Sequence, residues 1–102
     1  MANSVVWQLK EHIADGKLIL SGPSFDVDSF PAIGNELVRT LSATIVEKQF
    51  DADLHSWLID FEGCRFFLRA EHYTESIWLE AVSINESEEE LNYLAKLFSA
   101  GI

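Results

Sequence analysis

Three carboxylates, Asp60, Glu71 and Glu80, lie within a stretch that also carries Arg65, Arg69, His55, His72 and Cys64. Paired carboxylates do acid–base work when their surroundings push their pKa values apart. Alternating acids and arginines also arise as cross-strand ion pairs on a solvated sheet, with no reaction attached. The chain favours ion pairs, because it has no loop long enough to close over these groups and exclude water. Nor does a nucleophile stand beside them. There is no G-x-S-x-G, Gly63-Cys64-Arg65 matches no catalytic pattern, and no glycine-rich phosphate loop occurs.

The histidines, His12, His55 and His72, lack the close-spaced partners of a metal site. By alternation His55 shares a face with Trp57, and His72 with Phe66 and Leu68. Both are therefore expected at the core-side rim as hydrogen-bonded or solvent-tipped structural residues. Cys64 is the only cysteine, which allows neither an internal disulfide nor a thiolate-rich metal site and fits a reducing compartment. It reads as a small buried hydrophobe. The expectation is a protein with no catalytic residue, no metal and no cofactor.

The elements that position these groups are three strand-like runs, residues 54–62, 64–72 and 76–82. Side chains alternate faces along a strand. Trp57, Ile59 and Phe61, then Cys64, Phe66, Leu68 and Ala70, then Ile77, Leu79 and Ala81 form one apolar set. The opposite set holds Leu58, Asp60, Arg65, Phe67, Arg69, Tyr73, Trp78 and Glu80, with Glu71 among them. An antiparallel sheet can keep one face dry and the other wet, but this wet face is more aromatic than solubility requires. Aromatics with arginine are enriched in interface hot spots, so these eight residues are the candidate binding surface for a protein partner or for self-association. The bland alternative is that a loop or the N-terminal segment folds over them.

Upstream, residues 5–13 place Val5, Trp7, Leu9 and Ile13 on one face, and Asp15-Gly16 reads as a two-residue hairpin turn into Leu18-Ile19-Leu20. Glu11 breaks the alternation, which predicts a bulge or an exposed strand end there. After the loop Ser21-Gly22-Pro23-Ser24, Asp28 or Ser29 can cap a helix with Pro31 in its first turn and an apolar stripe of Phe30, Ile33, Leu37 and Leu41, with Val38 beside it. Gly34 marks close packing against the sheet. Residues 44–51 return to strand composition, and Asp51-Ala52-Asp53 and Glu62-Gly63 are short turns. Ser87-Glu88-Glu89-Glu90 reads as a capping box before a helix striped by Leu91, Leu94, Leu97 and Phe98 and ended by Gly101. The expected fold is one α+β domain over residues 1–102. It is a two-layer sandwich whose mostly antiparallel sheet runs in the order β-β-α-β-β-β-β-α, with both helices on one face.

Composition bounds the rest. The 102 residues are 48% hydrophobic and 24% charged, an ordinary globular balance. Seventeen acidic residues against seven basic ones give a formal charge of −10, a field that repels phosphate backbones and anionic lipid and so excludes direct nucleic-acid or membrane binding. An acidic nucleic-acid mimic is a minor alternative, since the acids are spread along the chain rather than gathered in a dense stripe. No signal-like N-terminus and no bilayer-spanning apolar run occur, so a soluble cytoplasmic protein is expected.

The segment Trp57-Leu58-Ile59-Asp60-Phe61-Glu62-Gly63-Cys64-Arg65, followed by Glu71-His72-Tyr73 and Ser76-Ile77-Trp78-Leu79-Glu80, resembles a family of short acidic proteins of unknown function from gamma-proteobacteria. The resemblance covers about the last half of the chain and implies a bacterial cytoplasmic protein. It carries over no activity. The residues themselves favour a non-enzymatic interaction module that uses the open sheet face. The rival is a small-molecule binder or enzyme with carboxylates or a histidine at the sheet edge.

Overall fold

The computed structural model describes residues 6–102; Val5 lies outside them. The strands β1 (Gln8–Ile13), β2 (Lys17–Ser21), β3 (Thr44–Asp51), β4 (Leu54–Phe61), β5 (Cys64–Glu71) and β6 (Ser76–Ala81) form one sheet. Helix α1 (Phe30–Thr40) follows β2, and α2 (Glu88–Ala100) follows β6. The sheet order is β1-β2-β6-β5-β4-β3 and every neighbour is antiparallel. Strands β3 to β6 make a meander, and the first hairpin returns to lay β2 against β6. That leaves β1 and β3 as the edges.

The strand phase follows the alternation. Trp57, Ile59, Phe61, Phe66, Leu68, Ala70, Ile77, Leu79 and Ala81 are buried in one cluster with Phe30, Leu37 and Val38 of α1 and Leu91, Leu94 and Phe98 of α2. Both helices therefore cover the same face. Gly34 lets α1 approach closely, since a Cβ there would stand 2.8 Å from the Trp57 ring and 2.9 Å from the Phe30 ring. Lys48 of the edge strand β3 closes this end, with Nζ 4.3 Å from the Trp57 ring centroid and 3.4 Å from Asn35 Oδ1 on α1.

Turn chemistry fixes the registers. Ala52-Asp53 and Glu62-Gly63 each place both residues at positive φ (50° and 65°, 53° and 83°), the type I′ geometry that matches strand twist. The β1–β2 connection differs from expectation. Ile13 pairs with Lys17, so the loop has three residues, Ala14-Asp15-Gly16, with Gly16 at φ 90°. The expected bulge does occur, between Leu9 and Glu11. Its consequence is that Ile13 moves off the core set. Beyond the bulge Glu11 pairs with Ile19 and Ile13 with Lys17, while Leu18 and Leu20 face the core.

Both helix starts also depart from the sequence reading. Ser29 makes no side-chain cap bond at α1. Instead Ser29 N donates to Asp26 Oδ1 at 2.8 Å and Asp26 N donates to Ser29 Oγ at 2.9 Å. This reciprocal pair is a capping box that begins at Asp26, ahead of the single cap expected at Asp28 or Ser29, and Phe30 N closes it onto Asp26 O at 3.1 Å. At α2 the expected box does not form. Ser87 has φ −120° and ψ 16°, outside the extended conformation that aims a cap hydroxyl at the helix. It is buried, with only 2% of its surface exposed. The acids Glu88, Glu89 and Glu90 remain to face the positive helix end. At the other terminus Ile102 N donates to Trp7 O and the Val6 and Trp7 amides donate to Ile102 O, which ties the chain end beside β1.

Candidate functional site

The sheet face opposite the helices carries the residues singled out above, and no described element packs over it. Register sets them in cross-strand rows. One row runs Ser56, Arg69, Trp78, Ile19 and another Leu58, Phe67, Glu80, Lys17 across β4, β5, β6 and β2. Leu58, Phe67, Arg69 and Trp78 are half-buried rather than fully exposed, because neighbours on adjacent strands shield their sides. The Arg69 guanidinium lies over the Phe67 ring, 4.5 Å from its centroid, and its Nε is 3.8 Å from Glu80 Oε1. Glu80 also accepts from Trp78 Nε1 at 3.3 Å. Four side chains thus lock together in the middle of the face. Arg69 Nε itself is shielded from solvent and has no hydrogen-bond partner, its nearest acceptor being the Glu80 carboxylate at 3.8 Å.

The carboxylates do not converge. Asp60 accepts from Arg65 Nε at 3.3 Å and from Gly63 N at 3.1 Å, so it holds the β4–β5 turn. Glu71 caps the β5–β6 turn, accepting from Tyr73 N, Thr74 N and the Thr74 hydroxyl. The Thr74 hydroxyl, followed by the Tyr73 amide, pulls its pKa below the usual 4.5. Each acid is occupied by structure. Tyr73 is a correction: it lies in the turn beyond β5, 77% exposed, and not on the sheet face. Hydrogen bonding to the Asp53 carboxylate raises its phenol pKa.

Of the histidines, His55 takes a structural place. His55 is 7% exposed, stacks between Phe30 and Phe50 at 4.9 and 4.6 Å, and its Nε2 sits 3.1 Å from Val27 O. His72 lies just past β5 beside Tyr73. No cluster of three or more His, Cys, Asp or Glu that could hold a metal occurs among the described residues. Cys64 is half-buried rather than buried, with Sγ 3.5 Å from Glu86 O. Desolvation, then hydrogen bonding to Glu90, raises its thiol pKa, opposite to what a nucleophile needs. Among the described residues no helix is long and apolar enough to cross a membrane.

Sequence reasoning missed a groove of about 620 Å³ on the helix side, where the end of α1, the β4–β5 turn, one face of α2 and Ile102 come together. Helix ends build it rather than a long loop, so no stretch of loop sequence marks it. Its one sequence signal is the spacing of Glu89, Tyr93 and Leu97, four residues apart on one helical face.

Neither a curated protein nor a solved structure matches the chain significantly. A family model described as "Protein of unknown function (DUF3630)" matches residues 6–99, well beyond the C-terminal half that carried the resemblance. With nearly its whole length matched, the chain belongs to that family of proteins of unknown function.

Proposed function

We propose that this chain is a non-enzymatic protein-interaction module whose docking surface is the open sheet face. The observation that carries the reading is the locked group Phe67, Arg69, Trp78 and Glu80, an aromatic and guanidinium centre over which no element of the described residues packs. On the four central strands Lys17, Arg65 and Arg69 balance Asp60, Glu71 and Glu80, while register places the acids Glu11, Glu47 and Asp51 of the edge strands around them. A neutral centre inside an acidic margin suits a partner protein with an apolar patch and a basic rim. The same margin, on a chain of net charge −10, opposes docking of a second copy through this face. At a strand spacing of ~4.8 Å, six strands present roughly 600 Å² of sheet, near the ~800 Å² each partner contributes to a standard interface.

The rival enzyme reading loses its support because Asp60, Glu71 and Glu80 are each committed to a turn or an ion pair. The single cysteine and the gamma-proteobacterial resemblance support a bacterial cytoplasmic setting. The net charge argues against nucleic acid as the ligand. The test compares wild type with the Phe67→Ser, Trp78→Ser double variant in affinity capture from native extract, alongside sedimentation and circular dichroism. A partner held by wild type and lost by a folded, monomeric variant supports the module. If the variant unfolds, or captures the same proteins as wild type, the face is not the docking surface.

A further inference from the structure

The groove on the helix side has a composition unlike the sheet face. Its apolar floor is Leu41, Phe61, Leu97 and Ile102, and Tyr93 closes one side by stacking on Phe61 with centroids 6.0 Å apart and planes 17° from parallel. Glu62, Glu89 and Glu90 stand on its rim, and among the described residues no basic side chain lines it. Among the described residues none of these three carboxylates is in an ion pair. The cations of the two helices, Arg39 and Lys96, do not line the groove, and Arg39 is held by Glu36 at 3.1 Å.

Two helix ends meet here with opposite polarity. The end of α1, at Thr40, Leu41 and Ser42, brings the negative pole of its dipole to the groove. The start of α2 brings a positive pole of about half an elementary charge, which three carboxylates outweigh. The net field of the described residues in the groove is therefore negative, and among them the carboxylates above an apolar, aromatic floor lack a counter-charge. A volume of about 620 Å³ falls within the range of pockets that hold small organic ligands.

We propose that this groove binds a small organic cation, an ammonium group on an aromatic or aliphatic body. The body rests on Leu41, Phe61, Leu97 and Ile102. The ammonium sits among Glu62, Glu89 and Glu90, against the face of Tyr93, whose ring attracts a cation as well as an apolar group. This site lies on the opposite side of the sheet from the proposed docking face, and the two stand or fall separately.

The probe is 2-phenylethylammonium, with phenylacetate and 2-phenylethanol as charge-reversed and neutral analogues of the same body. Each is titrated to about 10 mM, the range that detects weak small-ligand binding, while amide chemical shifts are followed by NMR. The expected result is a saturable response to the ammonium, confined to the α2 face of Glu89 to Leu97, the Phe61–Glu62 turn and Ile102, with much weaker binding of both analogues. The Glu62→Gln, Glu89→Gln, Glu90→Gln variant should lose about tenfold or more in affinity, as expected when three charges converge on one ligand cation. Glu88→Gln alters the same helix start outside the groove and should bind as wild type does. Tyr93→Ala, which leaves the carboxylates in place, should weaken the ammonium as well. Equal binding of the three probes, shifts centred elsewhere, no saturation, or an equal loss in Glu88→Gln would overturn the proposal.

Discussion

Trp57 and Trp78 sit on opposite faces of one sheet and show how differently the same side chain is used. Trp57 is 2% exposed, pressed between Phe30, the α1 backbone at Gly34 and the Lys48 ammonium. Trp78 has no helix above it, is shielded only at its sides, and gives its indole N–H to Glu80. On the covered face shape decides: at Gly34 the Trp57 and Phe30 rings leave no room for a Cβ. On the open face charge and aromatic edges decide, and polar partners come from the same strand, as Glu80 for Trp78, or from an adjacent one, as Glu80 for Arg69. The buried side chains are therefore concentrated on one face, and the other is held by contacts between neighbouring side chains.

The sharpest test of that division is truncation of each tryptophan. Trp57→Ala should cost about 3–5 kcal/mol, the usual penalty for emptying an aromatic site in a packed core, a large share of a small domain's total stability. Denaturant unfolding measures it. An effect below about 1 kcal/mol would mean that the covered face is not the core. Gly34→Ala tests the same packing from the helix side. The added methyl gains about 1 kcal/mol of helix propensity but must displace the Trp57 and Phe30 rings, an overpacking cost of about 1–3 kcal/mol. The expected outcome is net destabilisation. A stabilised variant would show that α1 can move away from the sheet freely.

Trp78→Ala should cost within about 1 kcal/mol, the scale of a cross-strand pair on a sheet surface, while the two-state transition keeps its slope. A loss as large as that at Trp57 would erase the contrast between the faces.

The contrast was legible in the sequence because alternation has a period of two and the apolar sets of β4, β5 and β6 are unbroken. Phe66 and Phe67 are adjacent, and their opposite placements needed only that rule. Where two local solutions competed, the sequence was less decisive. Ser87 followed by Glu90 has the spacing of a capping box, yet Ser87 packs inward, while the box that forms uses Asp26 and Ser29. The bulge was foreseen at Glu11, but its effect on Ile13 was not, because a one-residue slip reverses every side chain beyond it. Strand order depends on pairing between distant segments, β2 with β6, which no local pattern encodes. The groove arises from where two helix ends stop, a property of packing rather than of spacing. Tyr73 failed for a plainer reason: the strand ended at Glu71, and alternation says nothing about a turn.

The two faces do share one device, a carboxylate that closes a turn by accepting backbone N–H groups. Asp26 does this at the start of α1, and its pKa is held below the usual 3.8, first by the Ser29 amide and then by the Ser29 hydroxyl. Glu71 does it between β5 and β6, held below 4.5 chiefly by Thr74. A carboxyl with a depressed folded pKa contributes stability that is fully present above its unfolded value and disappears as pH falls through the folded one. Asp26→Asn and Glu71→Gln keep an oxygen acceptor and remove the charge. Each variant should therefore be less stable than wild type at neutral pH, and the deficit should shrink as pH drops below 3.8 for Asp26 and below 4.5 for Glu71. Asp26 is exposed and Glu71 only half-buried at the sheet's end, so the effects should be the smallest of this series. Denaturant titrations at neutral and acid pH check them. A deficit that stays constant with pH would show that turn geometry, rather than the carboxylate charge, holds these two corners, and the shared device would then be steric on both faces.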